Sequence, residues 1–527
     1  MRRMPSDHVL QGIQSLTFYS PLVRIDCGQG GILLHRKIPI FYSAILLTGV
    51  NLLLRLVGTS FQVYISARIG AAGVGLLQLV MSVGGMSMTA AMAGVRTATM
   101  YLTAEELGKK RPGNVRWILR GSGIYSLACS CAVGFGIYLA APYLAANWIG
   151  DYRTVSAIRL MAVFLPITCL CGVMTGYFTA ANRIATLAAV EVAEQLCSMA
   201  VTLGTLTFWA GHDPGRSCTA VVLGSCVGAC LTFFSLLILR LRENVKAASR
   251  IPTARRLLDA AVPLALADDL KAGISTTENL MVPKRLALFP GAADPLALFG
   301  VVSGMVFPIL MFPAAILFGL AELLIPELAR CNAAGSKVRI HYLVRRSLRV
   351  AMLYGSLFCG LMFLTAEELC GALYHNADAG RFLKWFALLI PMLYCDAITD
   401  AMVKGLGQQK ASVRYNILTS TLDVIFLYLL LPTYGITGYF ASFLVTHLLN
   451  FALSIRRLMK ITGQKIPFFT PILCMGAMAV GIVLASTLPH PTARVVAYVA
   501  ILGSLLTLLR IVSKEDAMWL KSLVHKK

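Results

Sequence analysis

Apolar stretches long enough to cross a lipid bilayer recur along almost the whole chain, and no other feature of the sequence limits its fold as strongly. A helix needs roughly 20 apolar residues to span about 30 Å of hydrocarbon, and a window of that length finds about fourteen candidates. They fall at 39–66, 74–93, 118–141, 156–178, 186–209, 218–239, 258–280, 298–324, 347–366, 382–403, 412–431, 434–455, 467–487 and 493–512. With 57% hydrophobic and 13% charged residues and a mean hydropathy of +0.74, the 527 residues are too apolar for an ordinary soluble globule. In hydrocarbon each backbone N–H and C=O must find its partner within the protein, so the spans imply an all-α polytopic membrane protein.

The net charge of +23 does not point to nucleic acid, because the basic residues follow the loops. Arg36 and Lys37 precede the first span. Lys109, Lys110, Arg111 and Arg116 lie between the second and third, and Arg240, Arg242, Lys246, Arg250, Arg255 and Arg256 between the sixth and seventh. The alternate loops are poorer in base and hold Asp151, Asp213, Asp294, Glu367, Glu368 and Asp378. By the positive-inside rule both termini are expected in the cytoplasm, which requires an even number of spans. The first 37 residues hold no apolar core followed by a small-residue cleavage site, so the first span is expected to direct insertion itself.

The 14 cysteines lie mostly inside spans and form no CxxC pair, which fits small apolar residues better than metal or redox chemistry. No Walker A loop, GxSxG, HExxH or paired-carboxylate signature occurs, so the expectation is a protein that is not an enzyme and uses no metal or other cofactor.

An internal repeat orders the spans. The stretch 164–168 with 176–183 parallels 389–393 with 401–408 without a gap, and Pro166 and Pro391 take the same place. Each copy is expected to be a Pro-interrupted helix, a short turn and a second helix. Two pseudo-symmetric six-helix lobes and a C-terminal helix pair follow. The expected divisions are a tail 1–37, an N-lobe 38–239, a basic loop 240–257, a C-lobe 258–460, the helix pair 461–513 and a basic tail 514–527.

The first helix of each expected lobe carries a polar face. Asn51, Arg55 and Gln62 share one stripe of the first, and Asp268, Lys271, Ser275 and Glu278 share one of the seventh. An Arg at bilayer depth costs roughly 2.5–3.5 kcal/mol on insertion scales, so such residues tend to face a bundle interior or a wet cavity. If the two faces meet across a cleft, they line a hydrated cavity wide enough for a charged head group. The plainer reading pairs Asp268 with Lys271 as a structural salt bridge.

The run Arg55-Leu-Val-Gly followed by Ala67-Arg68-Ile-Gly-Ala-Ala-Gly-Val-Gly resembles the opening of the stage V sporulation protein B family of polysaccharide-biosynthesis membrane proteins. Ala93-Gly-Val-Arg-Thr, Met281-Val-Pro-Lys-Arg-Leu, the run from Leu298 to Leu328 and Lys404-Gly-Leu-Gly-Gln-Gln-Lys resemble it too. Together they cover about residues 36–512. That family belongs to the multidrug/oligosaccharidyl-lipid/polysaccharide exporters and is similar to MurJ-type flippases. The resemblance implies a MATE/MurJ-like fold and alternating access in a bacterial cytoplasmic membrane. It further implies export of a lipid-linked oligosaccharide, such as a lipid II-like precursor of spore cortex or another wall polymer. The implied partners are that polyprenyl-pyrophosphate ligand and membrane lipid, with wall-synthesis proteins as candidates and nucleic acid excluded. Arg55 matches one motif position for pyrophosphate, and Arg96, Lys284 and Arg285 match basic positions of the family. Glu278 stands where relatives have Asp, and Lys284 where they have Arg. The competing readings are a MATE-type drug or cation antiporter, which would favour carboxylates in its cavity, a membrane glycosyltransferase or wall polymerase, and a non-transporting scaffold of wall synthesis.

Overall fold

The computed structural model describes residues 40–109, 111–181, 183–211, 213–242, 254–464, 469–509 and 511, so the expected tails and most of the basic loop at 240–257 lie outside the described residues. Residues to Ala44 form one unit, described here as the helical start Ile40–Ala44, and Ile45 onward form a second, compact unit. The described residues contain helices and no strand.

Two of the helices owe their length to a glycine. The helix α1 (Ile40–Met92) breaks at Gly70, with φ 71° and ψ 174°. A glycine with φ 56° and ψ −135°, Gly435, interrupts the last long helix, Gln409–Thr462, in the same way. A residue with a Cβ avoids both conformations, so each long helix is two helices meeting at the position that permits the break. Between them lie α2 (Val95–Gly108), α3 (Pro112–Tyr143), α4 (Val155–Ala180), α5 (Ile184–Thr205), α6 (Pro214–Leu241) and α7 (Ala254–Leu286). Then come α8 (Pro295–Gly300), α9 (Phe307–Met311), α10 (Ala314–Ala333), α11 (Lys337–Tyr374), α12 (Ala377–Ala387) and α13 (Ile390–Gly405). The helix Gln409–Thr462 is α14, followed by α15 (Phe469–Ser486) and α16 (Pro491–Leu508).

Among the described residues every expected span lies mainly on helix. Among the described residues eight helices are long and apolar enough to cross a membrane, and ten if two bent pairs each count as one span. Dividing α1 and α14 at their glycines, and admitting the short α15 and the charged α7, makes this compatible with fourteen. The bends have local causes: the chain turns by 63° at Phe312–Pro313 before α10, and by 57° between α12 and α13, where Pro391 stands in the first turn. The two repeat copies therefore differ. Pro166 lies inside an uninterrupted α4, whereas Pro391 follows a break, so the expected interruption is found in the second copy alone.

Helices α2 to α6 pack among themselves, and α10 to α16 do the same. Helix α7 touches α2 and α3 on one side and α8 and α14 on the other. The second group is held by aromatic packing around Phe307, whose ring lies 5.5 Å from Phe386 and 5.2 Å from Phe443. Buried tyrosine hydroxyls find carbonyls there: Tyr394 donates to Leu310 O at 3.1 Å and Tyr498 to Ser356 O at 2.6 Å.

A charged cavity between α1, α2 and α7

Helix α7 is the polar helix of the bundle, and its position follows from close backbone packing. A Cβ on Gly94 would lie 2.4 Å from Ala261 O, so α7 rests directly on the junction of α1 and α2. On the other flank of α2, a Cβ on Gly176 of α4 would lie 2.6 Å from Arg96 O, which fixes the backbone that carries Arg96. Farther along, Asn279 donates to Ser82 Oγ at 3.0 Å and Thr276 to Ser82 O at 3.1 Å, tying α7 to α1.

Between these contacts lies a cavity of ≈ 660 Å³. Asp268, Lys271 and Ser275 face it from α7, Arg96 and Thr97 from α2, and Ser82 and Thr89 from α1. Among the described residues no ion pair joins Asp268 to Lys271, so the stripe is not consumed by an internal salt bridge. Two cations and one carboxylate leave the wall with an excess of positive charge, and hydroxyls and an amide supply donors between them.

The remaining sequence-selected residues go elsewhere. The guanidinium of Arg55 lies over the Phe318 ring of α10, 5.4 Å from its centroid, and Gln62 donates to Gly304 O at 3.4 Å. The polar face of α1 thus meets the segment from α8 to α10. The side chain of Asn51 lies outside the described residues. Glu278, expected to join Asp268 and Lys271, points to α14, where it faces Asp423. Asp423 accepts from Ser442 at 2.5 Å and from Thr446 at 3.1 Å. One carboxylate thus has two hydroxyl donors and a second carboxylate before it. Lys284 donates to Asn147 O, and Arg285 donates to Tyr428 O at 2.9 Å, both beside a second cavity.

Sequence reasoning left Asp423 without a role and passed over Glu105 and Glu106. The pair of Asp423 with Glu278 spans 145 positions, and no local spacing announces it. Glu105 and Glu106 are met by Arg256, at 2.9 Å each, across the end of α2. Their signal was two adjacent acids in the otherwise basic loop between the second and third expected spans.

Eight to ten described helices long and apolar enough to cross a membrane, with a charged cavity between two helix groups, describe a multi-pass membrane protein. Comparison with known proteins agrees. The model of the polysaccharide biosynthesis protein family matches residues 41–269, and that of the MatE family matches 292–429. The chain is 21% identical over 413 residues to stage V sporulation protein B of Bacillus subtilis (strain 168), covering 75% of this chain and 79% of the relative. Its fold is similar to that of the lipid II flippase MurJ in an inward closed conformation, with a TM-score of 0.66, 9% identity, and coverage of 88% and 98%. It is also similar to an inward-facing multidrug resistance MATE transporter, with a TM-score of 0.63, 13% identity, and coverage of 80% and 100%. The chain is thus similar in sequence to polysaccharide biosynthesis and MatE proteins and has the fold of the MATE and MurJ structures.

Proposed function

We propose that this chain carries the anionic head group of a lipid-linked oligosaccharide, of the lipid II type, across the bacterial cytoplasmic membrane. The observation that carries the reading is the cavity in which Arg96 and Lys271 outnumber Asp268. Sugars and phosphates lose their hydration in hydrocarbon, and a wall of cations and hydroxyls supplies replacement contacts. Arg is suited to a phosphate fork, and Lys acts as a point charge. A cavity serving organic cations would carry the opposite balance, which disfavours the antiporter.

The lobes 38–239 and 258–460 would rock about this cavity, with 461–513 as an added helix pair and both termini in the cytoplasm. The facing carboxylates Glu278 and Asp423 supply a place for the coupling cation or proton, since two such groups away from bulk water need a positive partner. Relation to the sporulation protein supports a role in spore cortex or another wall polymer.

The test is movement of fluorescent lipid II across proteoliposome membranes. Arg96→Gln with Lys271→Gln should lower the rate about tenfold or more, the scale for two charge-assisted contacts. Arg55→Ala should lower it less, because its guanidinium already lies on Phe318. Equal rates in the wild type and the double variant would refute the assignment of the cavity.

A further inference from the structure

The second cavity, also ≈ 660 Å³, follows another face of α7 and is shaped differently from the first. Leu270, Gly273, Thr277, Leu280 and Lys284 line it from α7 together with Ile274 and Met281 on the adjoining row, so a broad face of the helix forms this wall. From Asp269 to Arg285 this face is about 24 Å long at 1.5 Å per residue. Trp148, just beyond α3, and Val424 of α14 face it from either side. The groove therefore lies where the first helix group meets the second.

Its two ends carry opposite charge. At one, Lys284 and Arg285 donate only to the carbonyls of Asn147 and Tyr428, and Arg285 lies 3.7 Å from the Tyr428 ring centroid. Among the described residues no carboxylate forms an ion pair with either cation. At the other end stands Asp269, whose Oδ1 is buried without a hydrogen-bond partner. An anionic head group is drawn to the Lys284 end and repelled from the Asp269 end, so an amphiphile can lie in the groove in one direction only.

We propose that this groove holds the hydrocarbon chain of an isoprenoid phosphate, with the phosphate at Lys284 and Arg285. The inference rests on the transport reading above, which supplies such a lipid as the carrier of the head group. Between its charged ends the groove is lined by apolar side chains, Trp148, Leu270, Ile274, Leu280, Met281 and Val424, which suit a hydrocarbon chain. Its walls come from both helix groups, so rearrangement of the seam would grip or release the chain.

Gly273 gives a clean means of testing this, because a Cβ there meets no atom within 4 Å. The side chain of Gly273→Phe would enter the groove itself, and replacing a mid-helix glycine does not weaken α7. Undecaprenyl phosphate binding to the purified full chain is titrated by native mass spectrometry, with uncharged polyprenol and dioleoyl phosphatidylglycerol as comparison ligands. Gly273→Phe should weaken binding of undecaprenyl phosphate and polyprenol about tenfold. The double variant Lys284→Gln/Arg285→Gln should weaken the phosphate similarly and leave polyprenol unchanged. It keeps the proposal testable if the Phe variant does not fold. Wild-type affinity in both variants overturns the proposal, and so does phosphatidylglycerol binding as tightly as undecaprenyl phosphate. A wild-type chain that binds undecaprenyl phosphate in the expected pattern but moves no head group overturns the transport reading and leaves the groove standing. Head-group movement with unaltered binding in both variants overturns the groove alone.

Discussion

Arg256 Nη1 lies 2.9 Å from Glu106 Oε1, joining the first turn of α7 to the last turn of α2 across 150 positions of sequence. The Glu106 side chain is only 3% exposed and also accepts from Asn114 at 2.8 Å, while the second Nη of Arg256 meets Glu105 at 2.9 Å. At the far end of the same helix Lys284 holds Asn147 O. Helix α7 is thus fastened to the first helix group at both ends, and the charged cavity lies between the fastenings.

Arg256→Gln should loosen one end without unfolding the bundle. The cost should be about 1–3 kcal/mol, the range for a charged hydrogen bond left unmade, because Arg256 is partly exposed and the larger penalty of a fully buried pair does not apply. Hydrogen exchange should quicken in residues 95–108 and 254–265 and stay unchanged in α11 to α16. Unchanged exchange at both fastened segments would show that the ion pairs do not hold the seam.

The seam at α8 depends on small residues rather than charge. A Cβ on Gly300 would lie 2.1 Å from Ala71 O, and one on Gly75 would lie 2.3 Å from Leu296 O. Backbone atoms cannot step aside as a flexible side chain can, so Gly300→Val should destabilise by about 1–3 kcal/mol or more. A clear fall in the thermal midpoint in detergent is expected, and no fall for Gly273→Ala, where a Cβ has open space and the helix loses a mid-helix glycine. Equal midpoints would mean that α1 and α8 part without cost.

Replacing Glu278 by Gln keeps the shape of the α7–α14 contact and removes one of two facing carboxyl groups. Thermal stability should hold or rise, while the transport rate should lose its dependence on pH or on the cation supplied. Asp423→Ala, by contrast, should lower stability, since Ser442 and Thr446 lose their acceptor. Retained cation and pH dependence in Glu278→Gln would separate this pair from coupling.

Asp396 of α13 accepts both its hydrogen bonds from Asn450, at 3.0 Å each, in a site only 8% exposed. Asn450 Oδ1 already lacks a partner, so Asp396→Ala would strand the whole amide. A loss of about 1–3 kcal/mol is expected in chemical denaturation, and Asp396→Asn should recover part of it. A loss under half a kcal/mol would mean that water replaces the carboxylate at that site.

Much of the fold was legible because the bilayer makes it a one-dimensional problem. Each span must satisfy its own backbone, so hydropathy along the chain marks helices whatever they later touch. The glycine break at Gly70 falls between two expected spans, and the one at Gly435 falls at the start of the expected span 434–455. The candidate site was less legible. Asp268, Lys271 and Ser275, grouped by helical spacing, line one cavity with Arg96, which was selected by resemblance. Arg55, Gln62 and Glu278 lay on plausible polar faces and were carried to other neighbours by the packing of their helices.

By itself the sequence determined the helices, their approximate ends and the polar stripes on the first and seventh, because period and hydropathy are local properties of the chain. Only the tertiary structure decided which stripes meet. Glu278 faces Asp423 and not Lys271, Arg256 reaches Glu106, and two faces of α7 line separate cavities. Those outcomes depend on how far each helix is rotated and on where glycines let backbones touch. Both are set jointly by residues more than a hundred positions apart, which no window along the chain contains.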